Sequence, residues 1–375
     1  MGTRFGPARL PVVLLTVAWF VGISCGAVRA DSGPAKAIPL AASSEAPILQ
    51  NPGFECKIGY VTQDGIQNRV PLGWTGVLLS GTPQLDSVRI RWGGSGDCDG
   101  DRFVERLEGE DSLVFIAQDL ETPPEPGKPF DAAVYQQVVL TPGTAYSLSG
   151  WMVSLCGGSA TPSNCPADYY MEKLVGIDPT GGTDPLAPSV IWISDRRNFT
   201  ESRWANLRLA TTAQTDRLTV FGRIRSPFRW HGNHAFVDAF SLVRAPTATF
   251  VNSPARISDA SARVQWDGAM SPDILAIPSG AYRLYFDVQY RVDAQGAWID
   301  WLTDQAAGSA AFTVPTCSAE HSYAFRVRSR AEQPAGSNGS KPNHRYPGVW
   351  SEPASVVLGS QTVCLPRAYL PMMQQ

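Results

Sequence analysis

The stretch Leu284-Tyr285-Phe286-Asp287-Val288-Gln289-Tyr290-Arg291-Val292 decides the fold class. Leu284, Phe286, Val288, Tyr290 and Val292 alternate with Tyr285, Asp287, Gln289 and Arg291. A period of two with one charged face marks an antiparallel strand whose other face lies on a core. The pattern returns at Tyr323, Phe325 and Val327 against Arg326, Arg328 and Arg330. It returns again at Ala262, Val264 and Trp266 against Arg263, Gln265 and Asp267. Residues 134–140, 145–155, 171–177, 189–194, 217–225 and 235–243 read as further strands, and no helix longer than two turns is predicted. The expected class is all-β, with two sandwiches joined by a linker at 244–254.

Composition agrees. The 375 residues are 43% hydrophobic and 17% charged, which excludes a disordered chain and a long coiled coil. The 34 Gly and 30 Pro favour turns and short strands. A net charge of -3 argues against nucleic acid as a partner. Arg4 and Arg9 precede the apolar run 10–23, and Val28-Arg29-Ala30 offers a cleavage site before Asp31. This is the layout of a secretory signal peptide over 1–30. The alternative is an uncleaved anchor, since 10–28 carry no charge. Cleavage takes Arg4, Arg9 and Arg29 and no acid, so -3 becomes -6. Residues 31–46 read as a disordered lead-in, and after cleavage no segment is expected to insert in a membrane. Six cysteines then remain, Cys56, Cys98, Cys156, Cys165, Cys317 and Cys364, an even number that suggests disulfides in an exported chain. The expected location is secreted or at the cell surface.

Leu49-Gln50-Asn51-Pro52-Gly53-Phe54-Glu55, then Leu72-Gly73-Trp74, then Tyr135-Gln136-Gln137-Val138 with Pro142-Gly143-Thr144-Ala145-Tyr146-Ser147-Leu148-Ser149-Gly150-Trp151, and last Ala235-Phe236-Val237-Asp238-Ala239-Phe240-Ser241-Leu242, resemble galactose-binding-like jelly rolls of the family 4/9 carbohydrate-binding type. The resemblance spans 47–245. It implies a jelly-roll β-sandwich that binds glycan, with the extra length assigned mainly to 93–133. It also implies a structural calcium held by Glu55 and Asp238. Asp238 shares strand parity with Phe236, Phe240 and Leu242, which should face the core, so its carboxylate needs a partner, an ion or a proton. An Arg partner or simple exposure are the other readings of the two acids.

Trp266, Tyr290, Tyr323-Ala324-Phe325-Arg326-Val327-Arg328 and Val349-Trp350-Ser351-Glu352-Pro353 resemble strands B, C, F and G of fibronectin type III domains, over 246–358. Residues 268–281 and 331–346 lengthen the B–C and F–G loops, and 331–346 is a candidate binding tip. Antiparallel F and G bring Cys317 and Cys364 to one end of that sandwich, which implies a 317–364 disulfide. Cys156 and Cys165 flank a turn-rich loop and pair as 156–165, leaving 56–98. The tail 359–375 ends Tyr369-Leu370-Pro371-Met372-Met373-Gln374-Gln375 and is too short and polar for an anchor.

Candidate ligand-binding residues are the aromatics Trp92, Tyr169, Tyr170, Trp192 and Trp230, which offer flat faces to sugar rings. Arg196, Arg197, Arg225 and Arg229 are candidate donors to sugar oxygens. For each aromatic a core position is the competing reading. Asp97-Cys98-Asp99-Gly100-Asp101 has the alternating acids of a calcium loop but reads as a solvated turn. His231 and His234 make half a metal site and read as a loop. There is no nucleophile elbow, phosphate loop or spare cysteine nucleophile, so no catalytic residue is assigned. The expected function is non-catalytic glycan binding. A structural or adhesion protein binding a cell-surface protein, and an accessory part of a polysaccharide-degrading system, are the alternatives.

Overall fold

The structure is a computed structural model that describes residues 48–63, 68–81, 86–92, 105–117, 125–155, 167, 170–198, 204–229, 233–252, 256–257, 261–277, 282–313, 322–333 and 344–358. The described residues are β throughout, apart from a 3-10 turn at Cys56–Ile58 and one short helix, α1 (Pro272–Leu275). No described helix is long and apolar enough to cross a membrane.

Twelve strands precede Ala245: β1 (Tyr60–Gln63), β2 (Asn68–Pro71), β3 (Thr75–Ser80), β4 (Asp86–Trp92), β5 (Asp111–Ala117), β6 (Glu125–Val139), β7 (Ala145–Leu155), β8 (Glu172–Asp178), β9 (Ile191–Asp195), β10 (Ala205–Thr212), β11 (Arg217–Arg229) and β12 (Asn233–Arg244). Strands β1 and β2 form a hairpin. The others make two five-stranded sheets, ordered β10-β7-β12-β5-β4 and β3-β6-β11-β8-β9. Alternate residues of each strand meet between the sheets. Leu148 and Met152 come from β7, Val134 from β6, Val220 and Ile224 from β11, and Val175 and Ile177 from β8. The opening motif closes this core. Phe54, Trp74 and Phe240 pack ring to ring at 4.9–5.6 Å, and the Trp74 indole donates to the Gln50 and Asn51 carbonyls.

Two expectations change here. Within the stretch 93–133, Asp111–Ala117 is not extra length, because it forms β5 between β12 and β4. Its Leu113, Val114, Phe115 and Ile116 are all fully buried. Leu113 and Phe115 face the main core, while Val114 and Ile116 join Val153, Leu155 and Phe236 in a second cluster on the outer face. A strand covered on both faces shows no alternation. Nor does Asp238 share a face with Phe240 and Leu242. The β12 register shifts between Asp238 and Ser241, where Ala239 takes φ 49. This bulge reverses the parity: Val237 and Phe240 point to the main core, and Asp238 lies on the side of Phe236.

The remaining strands are β13 (Thr247–Asn252), β14 (Arg256–Ile257), β15 (Ser261–Ala269), β16 (Arg283–Val292), β17 (Ile299–Gln305), β18 (Ser309–Thr313), β19 (Ser322–Glu332), β20 (Arg345–Pro347) and β21 (Ala354–Leu358). Their sheets run β13-β15-β18 and β14-β21-β19-β16-β17, with β20 on β19. Phe286 and Val288 point inward, as the alternation requires, with Trp266, Phe312, Tyr323 and Phe325. Phe312 sits 4.9–5.4 Å from the rings of Tyr290, Trp301, Tyr323 and Phe325.

The expected linker 244–254 holds the end of β12 and all of β13. Val243, Ile274, Ala331 and Tyr346 form a shared apolar cluster across the two sandwiches. Around it the Arg244 guanidinium grips Asp273 at 2.6–3.1 Å, the Tyr346 and Ser241 hydroxyls meet at 2.8 Å, and His344 Nδ1 meets Ser149 Oγ at 3.1 Å. Burial pushes the His344 imidazole down to about 4, so it stays neutral in this contact. Parts of both long loops, 268–281 and 331–346, therefore meet the first sandwich.

Candidate functional site

The outer face of the sheet β3-β6-β11-β8-β9 carries a transverse row of aromatics. Thr75 pairs with Tyr135, Tyr135 with Phe221, Phe221 with Gly176, and Gly176 with Trp192. All five therefore project from one face. Phe221 is fully buried and forms the floor. The half-buried rings of Tyr135 and Trp192 flank it at 5.9 and 5.6 Å. Gly176 makes this possible. A Cβ there would lie 2.6–2.9 Å from three atoms of the Trp192 ring, so the bare backbone lets the indole lie on the strand.

Polar groups surround the row. The Arg223 guanidinium stands 5.6 Å from the Trp192 ring centre and is held by two bonds to Asp131, of 2.8 and 2.6 Å. Arg225 pairs with Glu172 at 3.1 Å. On the other side Arg217 donates to Gln137, which in turn donates to the Gly181 carbonyl. The loop after β8 rises as a wall: buried Asp178 accepts from Thr180 and Ser189, and the Pro185 carbonyl sits 3.5 Å from Arg223. Two flat rings framed by a planar guanidinium and an amide can stack on sugar rings and bond their hydroxyls.

A second constellation grips the segment 105–111. Asp238 Oδ2 accepts from the backbone N–H of Leu107 and Glu108, at 2.8 and 2.9 Å, and its Oδ1 from Ala239. Glu55 accepts from the N–H of Glu110, and Asp111 from that of Cys56. Gly109 has φ 67, and a Cβ there would collide with the Glu55 carboxylate. Burial raises all three acids, Asp238 to about 7 against the pull of its N–H donors, and Asp111 adds to the rise at Glu55. Asp111 Oδ1 is buried with no hydrogen-bond partner. Three raised carboxyls and one orphaned oxygen line this segment, with Lys57 4.0 Å from the Glu55 carboxylate offsetting part of their charge. No three His, Cys, Asp or Glu among the described residues stand as a ready-made metal cage.

Of the aromatics picked out in the sequence, the structure brings Trp192 onto this face. Trp92 ends β4, opposite Asp111, in the other sheet. Tyr169 and Trp230 lie outside the described residues, as do His231 and 97–101. Arg225 is on the face. Arg197 is bound to Asp195, which also meets the fully buried Lys173. His234 lies within β12, stacked on Phe236. Cys56 is disulfide-bonded. Cys98, Cys156, Cys165, Cys317 and Cys364 lie outside the described residues. Sequence reasoning missed Tyr135, Phe221 and Arg223. Their signal was the outward phase of strands already recognised at 134–140 and 217–225.

No protein-family model and no curated protein matches the chain. Solved structures do. The chain is similar to a family 61 carbohydrate-binding module solved with β-1,4-galactotriose, at 15% identity over 53% of this chain and 99% of that one, TM-score 0.33. It is also similar to a family 28 module described as specific for non-crystalline cellulose, at 11% identity over 50% and 94%, TM-score 0.25. The adhesin domain of Epf from Streptococcus pyogenes matches at 8% identity over 66% and 76%, TM-score 0.22.

Proposed function

We propose that the chain is a non-catalytic glycan-binding protein of the cell exterior, with its ligand on the outer face of the sheet β3-β6-β11-β8-β9. The observation that carries the reading is the row Tyr135–Phe221–Gly176–Trp192 beside the Arg223–Asp131 pair. A glycan array probed with the full chain tests it. Retention of a glycan by the wild type, with at least a tenfold loss for Trp192→Ala at unchanged melting temperature, supports the reading. A silent array opposes it and favours an adhesion role toward protein.

The exterior location rests on the leader pattern at 1–30 and the cysteine parity, and the pairings 56–98, 156–165 and 317–364 belong to the same proposal. We read the second sandwich as fibronectin type III-like. Its three-stranded sheet β13-β15-β18 and its larger sheet centred on β21-β19-β16 support this. Calcium is the ion we assign to Glu55 and Asp238, where it would neutralise two carboxylates that grip the segment 105–111.

A further inference from the structure

The outer face of the second sandwich carries a ladder of alternating guanidinium and indole groups. Arg291 lies over the Trp298 ring at 4.8 Å and Arg326 over the same ring at 4.4 Å. Arg326 and Arg328 then lie over Trp350 at 4.5 and 4.7 Å. The members come from β16, the turn before β17, β19 and the turn before β21. Register explains the assembly: Gln289 pairs with Arg326 and Asp287 with Arg328, so these side chains share the solvent face with Arg291.

The charges on this ladder are unevenly matched. Arg328 and Arg330 reach Asp287, and Arg330 also reaches Asp304 and Glu332. Among the described residues Arg291 and Arg326 form no ion pair. Arg326 donates to the neutral Gln289 amide, whose own N–H goes to Asp300. Arg291 Nε is buried without a hydrogen-bond partner. Burial, together with the charges of Arg328 and Arg291, pushes Arg326 below the usual guanidinium range, against a partial pull from Asp300.

We infer that this ladder is a second binding surface, for an acidic polysaccharide with carboxylates on a repeating backbone. Stacking on a ring leaves the terminal nitrogens of Arg326 beyond its Nε bond to Gln289, and the planar fork matches a carboxylate with two parallel bonds. Trp298 and Trp350 each already stack against two arginines, so charge, and not ring stacking, selects the ligand here. Arg291 and Arg326, the two without an ion pair among the described residues, lie over one ring, Trp298, and so present two neighbouring charges to a row of carboxylates. A peptide would more readily add to a free strand edge through main-chain bonds, whereas this surface is a sheet face.

The test is a titration of the full chain with polygalacturonate, its fully methyl-esterified form and poly-glutamate, at low and high salt. Binding to polygalacturonate is expected to weaken as salt rises. It should be absent for the ester and fall at least tenfold in Arg291→Gln/Arg326→Gln. Trp192→Ala, on the other sandwich, should leave it unchanged, which separates this inference from the glycan reading above. Should the double Gln variant melt early, Arg291→Lys/Arg326→Lys keeps the charge but loses the fork, and an intermediate loss is expected. No binding of polygalacturonate, undiminished binding by the variants, or equal affinity for the ester or for poly-glutamate would overturn it.

Discussion

Arg223→Ala is expected to lower the unfolding free energy by about 3 kcal/mol and to abolish glycan binding on the same face. The side chains of Arg223 and Asp131 are only 10% and 17% exposed and share two short bonds. Removing one partner of such a pair strands the other charge in a poorly solvated site, and this costs about 3–5 kcal/mol when burial is complete. The lower end applies because Arg225 Nε stands 3.9 Å from Asp131 and compensates in part. The melting temperature should fall by roughly 6–12 °C for a domain of this size. Arg223→Ala combined with Asp131→Ala removes the stranded charge and should recover part of the stability, but not the binding. Calorimetry of the single and double variants checks both, and a single variant as stable as the wild type would refute the assignment.

Asp238→Ala is expected to cost about 2–4 kcal/mol, because it releases the N–H groups of Leu107, Glu108 and Ala239 together. Calcium should act through the same group. A carboxyl raised to about 7 binds its proton in the folded chain between roughly pH 4 and 7, where the unfolded chain has already lost it. Its contribution is therefore present below pH 4 and is lost as pH rises toward 7. A bound cation reverses that loss by favouring the charged form. Removing calcium with a chelator should lower the melting temperature at pH 7.5, by more than at pH 5, and have no effect on Asp238→Ala. Equal melting with and without chelator in the wild type would remove calcium from the account and leave the N–H clasp.

What the sequence revealed depended on whether each residue met one environment or two. The alternation at 284–292 marks β16, because Phe286 and Val288 lie on the core of the second sandwich and Asp287 between them does not. Strand β5 gave no such signal, since Asp111–Ala117 is covered on both faces and its apolar run is unbroken. Asp238 was recognised as a buried acid but placed on the wrong face, because one residue in the left-handed region, Ala239, reverses the phase of β12. Trp192 stood out by residue type. Tyr135 and Phe221 did not, because only cross-strand register shows that residues 135, 176, 192 and 221 share a row. Trp92, equally conspicuous by type, belongs to the opposite sheet. The ladder was hidden for a similar reason: Arg291, Trp298, Arg326 and Trp350 come from separate turns and strands that meet only once the sheet is formed.

Gly176→Ala tests the central claim most directly, because it removes no side chain that a glycan could touch. The added methyl must displace the Trp192 indole, whose ring atoms stand 2.6–2.9 Å from the position it would occupy. The measurement is a calorimetric titration of wild type and variant with a glycan retained on the array, alongside their thermal unfolding. The wild type is expected to bind, and the variant to lose affinity at least tenfold while melting within a few degrees of it. Equal affinity in a variant that folds normally would contradict this, and would place any glycan site away from Trp192.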